Sequence, residues 1–386
     1  MNISVKDLQE LRTRVERNLQ EVILPFWLNN SIDHEHGGFW GRVNGRGRPD
    51  PQADKGLILN TRILWTFARL YRTYRQEAFA RLAERAFDYL LERFWDHTFG
   101  GFYWLLSAQG QPKVELKKMY GQAFAIYALA EYAKISQNRL ALQTAIDLFE
   151  LMQKNHDTVQ GGFWENATRD WRLAPDMRLS EKDRDCEKSM NTHLHIMEAF
   201  SNLYRVWQET GLRAQLVELV DLFHRHIFNR QTGHLHLFFD RGWQAQGAAV
   251  SYGHDIETSW LLLETSHLLD DRQLSAKTLE LSLKLAETTL CQGLHENYAI
   301  YGACTDQGLV IRHLEWWTQA EAVVGFLNAF LLTRDYRFLK AAVKGWEFIE
   351  RFVSDGRYGE WFYELTVDGR ANAQLDKISE WKGPYH

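Results

Sequence analysis

A short glycine–aromatic motif recurs along the chain and limits its possible folds more than any other sequence feature. It is clearest as HGGFWGRV from His36, FGGFYWLL from Phe99 and QGGFWENA from Gln160. Looser copies are TGHLHLFFD, QGLHENYAIYG and DGRYGEWFYEL, which makes six copies at intervals of roughly 60 to 70 residues. Glycine supplies turn dihedrals and aromatic residues favour strands, so each copy predicts a turn and a short extended segment.

Between these copies, the chain contains pairs of segments in which apolar residues recur at helical spacing. TRILWTFARLYRTYR and FARLAERAFDYLLERFW follow the first copy, and four similar pairs come later. The N-terminal amphipathic stretch VKDLQELRTRVERNLQEVILPFW is left to pair with the segment before His386. Six successive helical hairpins predict an all-α fold, an (α/α)6 barrel with short β-hairpin-like loops at one end. The first helix of each pair then lines a central cleft, and an open solenoid is the alternative.

The bulk composition indicates a soluble globular protein without nucleic-acid or membrane partners. Hydrophobic residues make up 45% and charged residues 25%, and the net charge is -5. Residues 1–386 contain no linker or low-complexity run, so we expect a single domain. Three widely spaced cysteines, no signal peptide and no apolar run of about 18 residues predict a cytoplasmic protein. We expect a monomer or a weak homodimer.

Aromatic residues are frequent, with 15 Trp, 15 Tyr and 22 Phe. A well-packed core explains part of this content, because aromatic side chains bury large areas. A groove that stacks sugar rings or bases is the functional interpretation. Since the chain has no basic bias, a sugar is the better candidate ligand.

Polar residues on the first helix of each pair are candidate catalytic or ligand-binding residues. His254 and Glu257 in SYGHDIE lie three residues apart, so an imidazole and a carboxylate share one helical face. Asn191 and His195 lie four apart, whereas His193 lies about 200° around the helix from His195, which argues against a metal pair. Each residue alone has an ordinary structural explanation, but their convergence on one cleft favours a site. The other candidates are Arg62, Tyr120, Trp316, Trp317, Glu321, Trp381 and His386.

Motifs for cofactor chemistry are missing from the sequence. GRG at Gly45–Gly47 lacks the third glycine of a dinucleotide loop, and no GxxxxGK[ST], GxSxG, HExxH or EF-hand loop occurs. We therefore expect neither a cofactor nor a metal.

Several long segments resemble one enzyme family. KSMNTHLHIMEAFSNLYRVW, SYGHDIETSWLLLE, WWTQAEAVVGFLNAF and the closing WKGPYH are similar to the cellobiose 2-epimerases of the N-acylglucosamine 2-epimerase superfamily, whose members are (α/α)6 barrels. HGGFWGRV and ILNTRILWTF extend the likeness to the start of the chain. The resemblance implies cofactor-free epimerisation at C2 of the reducing-end glucose of cellobiose or lactose. The implied route is ring opening followed by a cis-enediolate.

The resemblance also implies roles for individual residues. His254 and His386 match the general acid/base pair, and His195 matches a histidine associated with ring opening. Arg62 matches the arginine that contacts the reacting oxygens. Glu257 is placed to hold the ring of His254. The implied substrate-binding residues are Tyr120, Asp183, Asn191, Glu257, Trp317 and Trp381, and we expect the neighbouring Trp316 to bind substrate as well.

Other functions stay open beside this one. A 2-epimerase of free glucose and mannose, or a mannose isomerase, would use the same enediolate. QGLHENYAIYGACTDQG departs from the family pattern near the expected second sugar, and the family pattern continues past the closing histidine, where this sequence ends at His386. An inverting glycosidase using Asp255 or Glu257 with Glu321, and a non-catalytic sugar-binding protein, are the alternatives from other classes.

Overall fold

Long helices account for most of the structure, a computed structural model that describes residues 5–136 and 138–386. In chain order the helices are α1 (Val5–Asn18), α2 (Leu24–Asn30), α3 (Leu57–Tyr74), α4 (Glu77–Tyr89), α5 (Met119–Ala133), α6 (Arg139–Met152), α7 (Met190–Tyr204), α8 (Thr210–Leu222), α9 (Tyr252–Leu268), α10 (Arg272–Thr288), α11 (Trp316–Thr333) and α12 (Tyr336–Phe348). One π-helical turn, Leu19–Ile23, joins α1 to α2. None of the described helices has the length and apolar character needed to cross a lipid bilayer.

Helices α3, α5, α7, α9 and α11 form an inner ring and are buried over most of their length. Neighbouring inner helices pack against each other in the order α3, α5, α7, α9 and α11, and each also packs against the outer helix that follows it in the chain. The outer helices bury only one face; in α4, Phe79, Leu82, Ala83 and Ala86 follow the spacing of one helical stripe. The predicted all-α (α/α)6 arrangement is confirmed.

The C-terminal segment, residues 377–386, has a non-helical backbone and lies between α3 and α11. Nη1 of Arg62 on α3 donates to the carbonyl of Trp381 at 2.7 Å, and His386 lies 2.8 Å from Glu321 on α11. The segment therefore bridges the two ends of the inner ring. Pro384 has no backbone N–H and Gly383 has a low helix propensity, which explains the non-helical backbone here.

Short antiparallel strand pairs connect successive hairpins. The strands are β1 (Lys55–Gly56), β2 (Leu105–Leu106), β3 (Pro112–Val114), β4 (Lys117–Lys118), β5 (Asn166–Ala167), β6 (Lys188–Ser189), β7 (Phe238–Phe239), β8 (Val250–Ser251), β9 (Ala303–Cys304), β10 (His313–Glu315) and β11 (Glu364–Thr366). The strand before each inner helix pairs with a strand that follows the next glycine–aromatic turn. These pairs collect at the N-terminal ends of the inner helices, as the predicted loops require.

Buried lysine–aspartate pairs fix four of the turns. In each turn the aspartate Oδ1 accepts backbone N–H groups from the residues two and three positions later, while Oδ2 faces a buried lysine. Removing one partner of such a pair leaves an uncompensated buried charge. The pairs are Lys55–Asp33 at 2.6 Å, Lys117–Asp96 at 3.2 Å, Lys188–Asp157 at 2.8 Å and Lys377–Asp355 at 3.0 Å.

A further buried pair, Lys382–Glu360 at 2.7 Å, holds the C-terminal segment to the turn after α12. We expect Lys382→Met to lower the free energy of unfolding by about 3–5 kcal/mol, because Glu360 would stay buried without its partner. Urea denaturation followed by circular dichroism measures this loss. Lys344→Met is the matched control, since Lys344 and its partner Glu347 are partly exposed and such pairs contribute about 0–1 kcal/mol. Equal stability of the two variants would contradict the proposed anchoring.

Candidate active site

A cavity of about 740 Å³ lies toward the N-terminal ends of the inner helices. One side is closed by the C-terminal segment and another by the loop of residues 176–183. The candidate Glu321 does not line this cavity, whereas all eleven residues with a predicted catalytic or substrate-binding role do. They are Arg62, Tyr120, Asp183, Asn191, His195, His254, Glu257, Trp316, Trp317, Trp381 and His386.

Arg62 brings a permanent positive charge into this cavity without a carboxylate partner. Its Nη2 donates to the hydroxyl of Tyr120 at 3.2 Å, and its guanidinium lies 4.6 Å from the centroid of the Phe124 ring. Among the described residues, no carboxylate lies within ion-pair distance of Arg62, and its buried Nε has no protein partner. A fixed guanidinium held by neutral groups is suited to an oxygen atom that becomes negative.

His254 stands in the first turn of α9, and its Nδ1 lies 2.7 Å from Oγ of Ser251. The expectation that Glu257 holds this ring is therefore wrong. Ser251 is the N-cap residue of α9, so its hydroxyl lies directly beside the first turn. Burial, reinforced by the nearby His195 and His386, lowers the pKa of His254 to about 3. The imidazole is neutral at physiological pH and able to accept a proton.

His386 comes from the C-terminal segment, and its Nδ1 lies 2.8 Å from Oε1 of Glu321. Both histidines flank Trp317, whose ring centroid lies 4.8 Å from His254 and 5.8 Å from His386. Burial, together with the charge of Arg62, lowers the pKa of His386 well below its usual value. Burial raises the pKa of Glu321 to about 7, so the pair shares its protons near neutral pH.

His195 is held in the same manner, because its Nδ1 lies 2.9 Å from Oε2 of Glu198. The other carboxylate oxygen of Glu198 accepts from the hydroxyl of Tyr385. Both ring nitrogens of His193 bond to backbone groups, namely the Ser189 carbonyl at 2.7 Å and the Phe163 N–H at 2.9 Å. His193 thus has no free nitrogen for a metal.

Several buried polar atoms around the cavity lack a partner. They are Nε of Arg62, Oδ1 of Asn191 and Oε1 of Glu257. Buried polar groups in proteins are nearly always hydrogen-bonded, so this cluster is typical of a site for a polar ligand. Burial, with the nearby Glu321, raises the pKa of Glu257 well above its usual value. A protonated Glu257 would donate a hydrogen bond rather than repel an oxyanion.

One group within the described residues offers three atoms with metal-ligating chemistry. Glu257, Glu321 and His386 place these atoms within 4.8 Å of one another. Carboxylates must be ionised to ligate a metal, whereas burial raises the pKa of both glutamates. In the metal-free protein, the raised pKa values therefore favour protons on both carboxyl groups.

Aromatic side chains form the walls of the cavity. Trp381 lies 5.8 Å from Trp104 and 5.9 Å from Tyr120 between ring centroids. Trp317 donates from Nε1 to Glu315, which fixes its ring. The more deeply buried Trp316 packs against Tyr363 at 4.6 Å. Polar cavity walls with several indole faces are suited to a sugar.

Sequence reasoning selected some of the remaining residues around the cavity and missed others. Asp183 accepts hydrogen bonds from the backbone N–H and the hydroxyl of Ser180 in the loop. Glu198 was missed, although its spacing of three from His195 placed it on the same helical face. Tyr385 had no sequence signal, because its contact joins distant parts of the chain. Other lining residues that sequence reasoning did not select include Trp104, Lys118, Glu315, Tyr363 and Glu380.

The chain is similar to known carbohydrate 2-epimerases over nearly its full length. The sequence profile of the family described as N-acylglucosamine 2-epimerase (GlcNAc 2-epimerase) matches residues 38–386. The cellobiose 2-epimerase of Bacteroides fragilis is 42% identical over 378 residues, covering 97% of this chain and 96% of that protein. That of Dictyoglomus turgidum is 36% identical over 383 residues, with coverage of 98% and 97%. The structure of the cellobiose 2-epimerase from Bacillus thermoamylovorans has a TM-score of 0.93 at 34% identity, covering 98% of this chain and 96% of that one.

The protonation state of His254 is directly measurable. We expect its imidazole to stay neutral at pH 5, because burial lowers its pKa to about 3, whereas an ordinary histidine with a pKa near 6.5 is mostly protonated there. ¹⁵N-detected NMR of histidine-labelled protein reports both charge and tautomer, and His254→Gln identifies the signal by its loss. Ser251→Ala should change the tautomer ratio by removing the Nδ1 partner. A His254 signal that titrates near pH 6.5 would contradict this electrostatic account.

Proposed function

The chain belongs to the N-acylglucosamine 2-epimerase family, and we propose that it epimerises C2 of the reducing-end glucose in β-1,4-linked disaccharides. It is a carbohydrate epimerase, and thus an isomerase. Cellobiose and lactose are the proposed substrates, in keeping with the full-length similarity to cellobiose 2-epimerases. The observation that carries the proposal is the cavity in which two neutral histidines face an unpaired arginine.

Ring opening is the first step that the reaction requires. The C2 hydrogen of a closed pyranose is not acidic, and it becomes acidic only beside the aldehyde of the open chain. Opening moves a proton from O1 and delivers one to the ring oxygen. His195 supplies this proton exchange in our proposal, because Glu198 fixes its Nδ1 and its ring lines the cavity.

Removal of the C2 proton then creates negative charge on the oxygens at C1 and C2. Arg62 stabilises this cis-enediolate, since its charge is permanent and its Nε is free to donate. The protonated carboxyl of Glu257 adds a second donor. Removing one donor of this kind typically lowers kcat by about 10²–10³-fold.

Inversion at C2 requires that the proton return to the opposite face. His254 and His386 come from different walls of the cavity, α9 and the C-terminal segment, and both rings contact Trp317. One imidazole therefore removes the proton and the other supplies one, and their roles exchange in the reverse reaction. Trp317 and Trp381 hold the open-chain sugar between them in this proposal.

The alternatives from other enzyme classes fit the geometry less well. Asp255 bonds to His234 at 2.7 Å and to the backbone of Leu235, so it does not line the cavity. Glu257 and Glu321 have carboxylate oxygens within 4.8 Å, whereas an inverting glycosidase separates its carboxyl groups by about 6.5–9.5 Å. A non-catalytic sugar-binding protein has no need of carboxylate-backed histidines. We place the activity in the cytoplasm, in a single-domain chain.

Incubation in D2O with EDTA tests the proposal. Cellobiose, lactose, glucose, mannose and N-acetylglucosamine are followed separately by NMR and chromatography. We expect deuterium at C2 of an epimerised, intact disaccharide, and a loss of about 10²-fold or more in Arg62→Met. Turnover restricted to glucose and mannose would assign the chain to a monosaccharide reaction. Release of glucose from cellobiose, or no exchange with any sugar, would overturn the proposal.

A further inference from the structure

The loop of residues 176–183 forms one side of the candidate active-site cavity. Seven of its residues line the cavity, yet the steps of the proposed reaction use none of their side chains. The loop contains neither helix nor strand, so its position depends on the contacts that hold it. A displaced loop would change both the width of the cavity and the polar groups that face the sugar.

The first half of the loop is anchored to the barrel by the strand pair β4–β5. Nζ of Lys118 in β4 donates to the carbonyl of Leu179 at 2.6 Å. Nδ2 of Asn166 in β5 donates to the carbonyls of Asp176 and Arg178, at 3.0 Å each. Lys118 and Asn166 are opposite each other in the strand pair, so these contacts fix the first half from one place.

The second half of the loop is connected to two other loops through Asp306. Arg184, which directly follows the loop, donates from Nη2 to Oδ2 of Asp306 in the hairpin turn after β9. Oδ1 of Asp306 accepts the backbone N–H groups of Ala248 and Ala249, at 2.7 and 2.8 Å, just before β8. One carboxylate thus joins three segments, and we call these four residues the Asp306 clasp.

The backbone around the clasp is shaped for this contact. Gly247 has a φ of +92°, and a Cβ there would lie 2.7 Å from Oδ1 of Asp306 and 2.9 Å from Nη2 of Arg184. A glycine is therefore needed for the close approach of the three segments. The N–H groups of Ala248 and Ala249, with the charge of Arg184, lower the pKa of Asp306, so its hydrogen bonds are charge-assisted at neutral pH.

Asp306 belongs to the segment QGLHENYAIYGACTDQG, whose sequence departs from the family pattern. The described residues that line the active-site cavity include none from this segment, residues 292–308. An effect of the segment on sugar binding therefore has to pass through a residue that does line the cavity. The clasp provides this link, because Arg184 is adjacent in sequence to Asp183, which lines the cavity.

Building on the proposed function, we propose that Asp306 is a positioning residue that holds the loop in its sugar-binding position through Arg184. With the clasp intact, the loop is ordered before the sugar arrives. Without the clasp, the sugar has to order the loop on binding, and this cost lowers the affinity. Arg62 and the catalytic histidines are held by other contacts, so the chemical step keeps its rate.

Arg184→Met and Asp306→Asn test the clasp without changing a residue that lines the active-site cavity. The asparagine keeps an oxygen for the N–H groups before β8 but loses the charge that pairs with Arg184. We expect each variant to raise KM for cellobiose about fivefold and to leave kcat within about twofold of the wild type, because only binding changes. The double variant should raise KM no further, since both substitutions remove the same contact.

Hydrogen–deuterium exchange followed by mass spectrometry measures the loop directly, without any sugar. We expect peptides that cover residues 176–186 to exchange faster in both single variants than in the wild type. Arg370→Met is the matched control, because Arg370 pairs with Asp368 inside one hairpin turn and does not line the cavity. This control should change neither KM nor the exchange of the loop.

The outcomes separate this inference from the proposed function. An active wild type whose KM and loop exchange are unaffected by both substitutions overturns the role of Asp306 alone. A fall of kcat at unchanged KM also overturns it, since the substitution then acts on the chemical step. Two KM increases that multiply in the double variant overturn the link through Arg184. A wild type that epimerises no sugar overturns the proposed function and this inference together.

Discussion

The docking of residues 377–386 into the inner ring is the interaction on which the candidate site depends. The buried Lys382–Glu360 pair and the bond from Arg62 to the Trp381 carbonyl fix this segment. Because the segment lies between α3 and α11, the side chain of His386 reaches the cavity. His386 thereby meets Glu321, and the cavity gains a wall that no single hairpin supplies.

The electrostatics of the cavity follow from burial. His254 and His386 are held neutral, burial raises the pKa of Glu257 and Glu321, and the Arg62 guanidinium has no carboxylate partner within the described residues. When a neutral histidine removes the proton from the neutral sugar, the enediolate anion forms next to the Arg62 guanidinium, which is already in position. Such preorganisation reduces the reorganisation that the reaction requires.

Helical periodicity predicted the hairpin repeat and the wall residues on the inner helices, whereas Asp183, which lies in a loop, was indicated only by the family resemblance. The sequence did not predict most partners of the catalytic groups. His254 is held by Ser251 and not by Glu257. Ser251 is the N-cap residue of α9, and its hydroxyl lies 2.7 Å from Nδ1 of His254. The His386–Glu321 contact joins residues 65 positions apart, which only tertiary packing determines.

Hydrogen exchange at C2 in single-histidine variants tests most directly whether His254 and His386 act on opposite faces. His254→Asn and His386→Asn are each incubated in D2O with cellobiose and with its glucosyl-mannose epimer. The account predicts that each variant loses epimerisation but exchanges the C2 hydrogen of one epimer only, and that the two variants act on different epimers. Exchange of the same epimer by both variants, or epimerisation retained in either, would contradict it.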